Sequence, residues 1–225
     1  MKDIAVVTGG SRGIGREIVR VLAGEYDVIN LSRSISVIDN MPTFSSINCD
    51  ISKKDDVEIA FKLISEMGRP KILINCAGTV EPKSILETTP EQWEHQLRVN
   101  LTGAFLCVRE FLRYSRSGGK IINIASTAGT RPSPGWAVYG AAKAGLINFS
   151  QSLAEEMRPY GVKVYCLVPG RCATELRRKM APDEDQSRIM QPEEVARFVR
   201  YLVAEDNILG NGQPLVLKTH RRDRP

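Results

Sequence analysis

Tyr139 and Lys143 stand four residues apart in Tyr139-Gly140-Ala141-Ala142-Lys143. In a helix this spacing puts a phenol and an ammonium on one face, one turn apart. A free tyrosine, with a pKa near ~10, is a poor acid–base catalyst at neutral pH. A neighbouring ammonium stabilises the phenolate, so Lys143 is expected to lower the Tyr139 pKa and make the pair a proton donor to a substrate oxygen. Tyr-x-x-x-Lys alone recurs by accident in helices. Position gives it weight, because Ser126 ends the run Ile124-Ala125-Ser126 thirteen residues earlier. Strand ends in an open parallel sheet are where ligands bind.

A second segment suggests what the proton transfer accompanies. Near the N-terminus, Thr8-Gly9-Gly10-Ser11-Arg12-Gly13-Ile14-Gly15 follows an apolar strand and opens a helix. A dinucleotide pyrophosphate needs a tight turn, close backbone approach and free N–H groups at a helix start. Gly9, Gly13 and Gly15 meet those needs at a strand-to-helix switch, with Ser11 and Ile14 between them. The second strand ends in Leu31-Ser32-Arg33. A carboxylate there would bind the ribose hydroxyls of NAD. Arg33 instead attracts a 2′-phosphate and grips it with two N–H groups, with Arg12 a second cation on the same side. The expected cofactor is NADP(H).

These side chains require strands alternating with helices. Apolar runs at Ile4–Val7, Val28–Leu31, Phe44–Ile47, Lys71–Ile74, Lys120–Ile124, Val162–Val168 and Pro214–Leu217 read as strands. Helical spacing covers Ile14–Leu22, Val57–Met67, Pro90–Ser115, Trp136–Tyr160 and Pro192–Ala204. Thr89 suits the cap before Pro90, and Gly161 suits the stop after Tyr160. Near-continuous apolar strands between helices predict an α/β protein, a doubly wound parallel sheet covered on both faces. With no repeat or linker, residues 1–217 read as a single dinucleotide-binding domain and 218–225 as a basic C-terminal tail.

Composition narrows the classes. The chain has 225 residues, 42% hydrophobic and 25% charged, which suits one globular domain. No apolar run approaches the ~20 residues of a membrane span, and no signal-peptide pattern precedes the first strand, so no membrane partner and a cytoplasmic location are expected. The net charge of +5 owes +2 to Arg221-Arg222-Asp223-Arg224, and no basic face interleaved with aromatics predicts nucleic-acid binding. Five cysteines without a Cys-x-x-Cys pair, beside two histidines, predict no metal and read as reduced, packed thiols.

Together these segments resemble the short-chain dehydrogenase/reductase family, whose Rossmann-type fold the alternation matches. Thr8-Gly9-x-x-x-Gly13-x-Gly15 matches its cofactor loop, and Asp50-Ile51 its adenine-contacting pair. Asn75-Cys76-Ala77-Gly78 matches the motif after its fourth strand. Asn100, in Val99-Asn100-Leu101-Thr102-Gly103, matches its helix asparagine. Ser126, Tyr139 and Lys143 complete its tetrad, and Pro169-Gly170-Arg171-Cys172-Ala173-Thr174 matches its Pro-Gly-x-x-x-Thr segment.

The resemblance implies a reductase that converts a carbonyl, such as a ketone or a 3-oxoacyl group, to an alcohol. Tyr139 would be the general acid and Ser126 would hold the substrate oxygen. Lys143 would hold the nicotinamide ribose, and Asn100 would anchor a water of a proton relay. Asn75, Ala77, Gly78, Pro169, Gly170, Cys172 and Thr174 would line the cofactor, with Thr174 and the backbone near Cys172 orienting its carboxamide. Cys76 and Cys172 are expected to be bystanders near the cofactor.

Members of the 3-oxoacyl-carrier-protein reductase type look most similar. At the two positions where those enzymes tend to place carrier-docking arginines, this chain has Ser117 and Tyr160, with Arg116 and Arg158 adjacent. Arg131, Arg171, Arg177 and Arg178 are expected around the pocket mouth and would suit an anionic or carrier-bound substrate. Residues 174–192 form a short lid, and the resemblance implies a homodimer through the two long helices, or a homotetramer. A catalytically silent NADP(H)-sensing module is the alternative function. An epimerase or dehydratase fits the glycine spacing and the short C-terminal part poorly.

Overall fold

The computed structural model describes residues 3–35, 43–115, 118–204 and 209–218. Arg116, Ser117 and most of the basic tail lie outside the described residues. Strands β1 (Ile4–Thr8), β2 (Asp27–Ser32), β3 (Phe44–Asn48), β4 (Pro70–Asn75), β5 (Lys120–Ile124), β6 (Lys163–Pro169) and β7 (Pro214–Leu217) form one parallel sheet. Their order is β3-β2-β1-β4-β5-β6-β7, so the chain reverses its direction of travel across the sheet between β1 and β4. In such a sheet the crevice outside the strand ends at the reversal is the ligand site.

Side-chain alternation explains the two covering layers. Along β1, Ala5 and Val7 face a core shared with Ile18 and Leu22 of α1 (Gly13–Leu22) and Val195, Val199 and Leu202 of α7 (Pro192–Val203). Ile4 and Val6 face the opposite core. There they meet Phe61 and Ile64 of α2 (Lys54–Met67) and Phe111 of α4 (Gly103–Ser115). Both sheet faces are dry, which is why the strands read as unbroken apolar runs.

Two long helices differ from expectation in informative ways. The stretch read as one helix over Pro90–Ser115 is α3 (Pro90–Leu97), a π-helical turn at Arg98–Thr102, then α4. Asn100 lies inside the π turn, and its Nδ2 donates to the Gln96 carbonyl at 2.9 Å. A side chain that bonds the carbonyl four residues back competes with the helical ladder there. Thr89 does cap α3, accepting from the Gln92 N–H at 3.3 Å while the Gln92 side chain accepts from the Thr89 N–H. Helix α5 (Ala137–Met157) ends in a 3₁₀ turn, Arg158–Tyr160, and Gly161 stops it at φ 68.

Residues 174–192, read only as a short lid, contain the six-residue helix α6 (Glu175–Met180) and a 3₁₀ turn, Gln186–Arg188. The segment is closed at its base. Ala173 N–H donates to the Met190 carbonyl at 2.8 Å, and Met190 N–H donates to the Arg171 carbonyl at 3.2 Å. No helix among the described residues is long and apolar enough to cross a membrane.

Candidate active site

A cavity of about 740 Å³ opens at the strand ends on either side of the β1/β4 reversal. That is within the range of natural ligand pockets. Its cofactor side is built from backbone. Thr8 Oγ1 accepts from the N–H groups of Cys76 (3.0 Å) and Ala77 (3.1 Å), fastening the end of β1 to the end of β4. Gly9 has φ 71, and a Cβ on Gly15 would stand 2.2 Å from the Gly9 carbonyl oxygen. No side chain caps the start of α1, and its first turn holds no acidic residue. Uncapped N–H groups at the positive end of a helix dipole suit an anion, so this end fits a dinucleotide pyrophosphate.

Asn30 is the residue that sequence reasoning missed. Fully buried in β2, it accepts the Gly10 N–H on Oδ1 at 2.7 Å. Its Nδ2 donates to Ser32 Oγ at 2.9 Å and Ser46 Oγ at 3.0 Å. It therefore ties the glycine loop to the β2 end. A polar residue within the apolar run Val28-Ile29-Asn30-Leu31 was the available signal, since buried amides need partners. Ser32 Oγ in turn donates to the Ser34 carbonyl at 2.7 Å. Ser11, Arg12, Gly13, Ile14, Ser32, Arg33, Asp50 and Ile51 all line this part of the cavity.

At the other end, Ser126, Tyr139 and Lys143 come together on the same cavity wall. Ser126 caps the 3₁₀ turn after β5, accepting from the Ala128 N–H at 3.2 Å. Lys143 is 4% exposed and donates from Nζ to the Ile124 carbonyl at 2.9 Å. The same Nζ lies 5.7 Å from the centre of the Tyr139 ring. Trp136 meets that ring edge-on, centroids 5.7 Å apart. It is a further wall residue that the Tyr-x-x-x-Lys pattern does not announce.

The electrostatics reverse one expectation. Burial pushes the Tyr139 phenol up to about 12, although the Ser126 hydroxyl beside it pulls the other way. Burial also pushes the Lys143 ammonium down to about 8. The net shift of Tyr139 is upward, because loss of hydration outweighs the Ser126 hydrogen bond. Cys76 and Cys172 line the cavity, and burial raises each to about 12, which leaves them as unreactive thiols.

Two residues expected at the site stand behind its wall. Asn100 is 1% exposed. Its side chain donates to the Thr79 carbonyl at 2.7 Å and accepts from the Thr79 N–H at 3.2 Å. Asn75 is also buried, donating from Nδ2 to Asn123 Oδ1 at 2.8 Å, and its own Oδ1 has no hydrogen-bond partner among the described residues. Ala77, Gly78, Pro169, Gly170, Cys172 and Thr174 do line the cavity. The Thr174 hydroxyl is used within the lid, accepting from the Arg177 N–H at 3.1 Å to cap α6.

At the mouth, Arg131, Arg171 and Arg177 line the cavity, whereas exposed Arg178 does not. Glu184 engages two of them. Its carboxylate takes Arg177 Nε at 2.6 Å and Nη2 at 2.8 Å, and Arg171 Nη1 at 2.8 Å.

Known proteins match this arrangement along nearly the whole chain. The family model described as short chain dehydrogenase matches residues 3–185. Carbonyl reductase family member 4 of Xenopus laevis is 32% identical, over 94% of this chain and 95% of that protein. The 3-oxoacyl-[acyl-carrier-protein] reductase of Synechocystis is 33% identical, over 90% of each. A solved structure of an actinorhodin polyketide ketoreductase variant with NADPH superposes with a TM-score of 0.87 at 26% identity, covering 96% of both chains. Sheet order, glycine loop and family match agree, and the chain belongs to the short-chain dehydrogenase family.

Proposed function

We propose that this protein is a cytoplasmic NADP(H)-dependent carbonyl reductase with Tyr139 as its general acid. One observation carries the reading. Ser126, Tyr139 and Lys143 converge at one end of a cavity whose other end holds the glycine loop and Ser32-Arg33. A relative named carbonyl reductase and a similar structure solved with NADPH point the same way.

When bound, NADPH supplies the hydride that reduces the carbonyl carbon. Arg33 and Arg12 hold the 2′-phosphate, and Ser11, Gly13, Ile14 and Gly15 present N–H groups and close backbone to the pyrophosphate. Asp50 and Ile51 bound the adenine. Ala77 and Gly78 on one side, and Pro169, Gly170, Cys172 and Thr174 on the other, bound the nicotinamide end. Ser126 Oγ holds the substrate oxygen and Tyr139 Oη donates its proton to it, giving the alcohol. A phenol raised to about 12 keeps its proton at neutral pH, and as a weak acid it donates only where the phenolate left behind is stabilised. The Lys143 ammonium stabilises the phenolate left behind, and its anchor on Ile124 fixes where that charge sits. Asn75 and Asn100 position the wall behind these groups.

At the mouth, Arg131 has no ion pair among the described residues, unlike Arg171 and Arg177. A substrate with an anionic group, free or carrier-bound, would meet it first. Phe105 and Phe149 pack edge-on across α4 and α5 with Phe105 45% exposed, and this face suits a second copy in a homodimer.

Steady-state loss of the reduced-nicotinamide absorbance tests the reading across neutral diketones, 3-oxoacyl thioesters and sugar ketones. Turnover with NADPH in preference to NADH is expected. Tight NADPH binding with no turnover in any class would establish the silent sensing module instead.

A further inference from the structure

Arg12 has two prospective partners on opposite sides. It precedes α1 in extended conformation, with 61% of its side chain exposed. Its Nη1 lies 3.6 Å from Glu175 Oε2, the carboxylate of the first residue of α6. Both residues line the cavity, so this ion pair crosses from the phosphate loop to the lid. A Cβ on Gly13 would sit 3.4 Å from Thr174 Cγ2, so loop and lid lie close together beneath the pair.

We propose that Glu175 competes with the 2′-phosphate of the cofactor for Arg12, and so tempers the preference for NADP(H) over NAD(H) while linking the lid to cofactor choice. The proposal rests on the NADP(H) reading above.

Three features favour such a hand-over. First, Glu175 has a better partner in reserve. Its Oε1 lies 2.7 Å from Lys179 Nζ, one turn along the same helix. When Arg12 turns to a phosphate, the carboxylate stays compensated. Second, a phosphate carries more charge and more acceptor oxygens than a carboxylate, so a guanidinium gains by the exchange. Third, the two candidate cations are not equivalent. Arg33 has no ion pair within 4 Å among the described residues, although its charge acts on Asp50, whereas Arg12 is paired with Glu175 and must be released. NAD(H) has no 2′-phosphate to offer, and with it Arg12 would stay on Glu175.

The pair is exposed, so its effect is modest and sensitive to salt. Calorimetric titration of the full chain with NADP⁺ and with NAD⁺ reads it without any turnover. Glu175→Gln is expected to tighten NADP⁺ roughly two- to fivefold, the scale of an exposed ion pair, and to leave NAD⁺ unchanged. Arg12→Gln should weaken NADP⁺, and in that background Glu175→Gln should have no further effect. Raising the salt concentration should shrink the Glu175→Gln difference.

Equal shifts for NADP⁺ and NAD⁺ would mean that Glu175 acts only on the lid, and would overturn the proposal. So would additive effects of the two substitutions. If the wild type binds NAD⁺ as tightly as NADP⁺, the cofactor reading itself fails and the proposal with it. If NADP⁺ is preferred but Glu175→Gln does nothing, only the proposal falls.

Discussion

The two ends of the cavity are held together by different forces. The cofactor end is fixed by backbone geometry and buried hydrogen bonds: glycines with no room for a Cβ, Thr8 clasping two N–H groups, and Asn30 tying loop to strand. The lid is a six-residue helix held by one capping threonine, a carboxylate shared between two arginines and the Arg12–Glu175 pair. Substitutions at buried bonds and close packing are costly, whereas those at partly exposed ion pairs cost little. Lys143, buried at the catalytic end, should show the largest effects.

Replacing Lys143 with Met is expected to lower kcat/KM by about 10²–10⁴-fold, the usual range for losing acid–base assistance. Stability should respond differently. The ammonium titrates near 8 in the folded chain against 10.5 for an ordinary lysine. Between those values the unfolded chain binds more protons, so this group's contribution makes the wild type more stable as pH rises through the window. Lys143→Met should lack that rise, which thermal melts across the window would reveal. The same titration predicts that wild-type kcat/KM falls as pH rises through about 8, when Lys143 loses its charge.

Gly15→Ala should come next, because the new Cβ would collide with the Gly9 carbonyl. Overpacking of this kind costs about 1–3 kcal/mol, visible as a lower Tm together with weakened NADPH binding. Glu184→Gln should have the smallest effect on folding, under about 1 kcal/mol, and should alter the substrate KM while leaving NADPH affinity unchanged. Equal losses of Tm in the Gly15 and Glu184 variants would erase the distinction between the two ends.

That distinction also governs what could be read from the chain. The glycine loop, the alternation of strands and helices and the Tyr139–Lys143 pair each follow from local spacing, so the sequence carried them. The π turn at Arg98–Thr102 was hidden because it depends on Asn100 reaching both Gln96 and Thr79, a contact across the fold. Helix α6 was hidden for a similar reason. It is too short to show a periodic face, and it depends on Glu184 holding Arg177. The rise of the Tyr139 pKa was illegible because spacing reports a neighbouring charge but not the loss of water around it.

The central claim is that Tyr139 delivers the proton in an NADPH-dependent reduction. Its most direct test compares Tyr139→Phe with the wild type, measuring kcat on a turned-over ketone and the NADPH Kd in parallel. The account predicts a kcat lower by about 10²–10⁴-fold with the NADPH Kd unchanged, since the substitution removes only the hydroxyl. A Tyr139→Phe enzyme that reduces the ketone at the wild-type rate would contradict it.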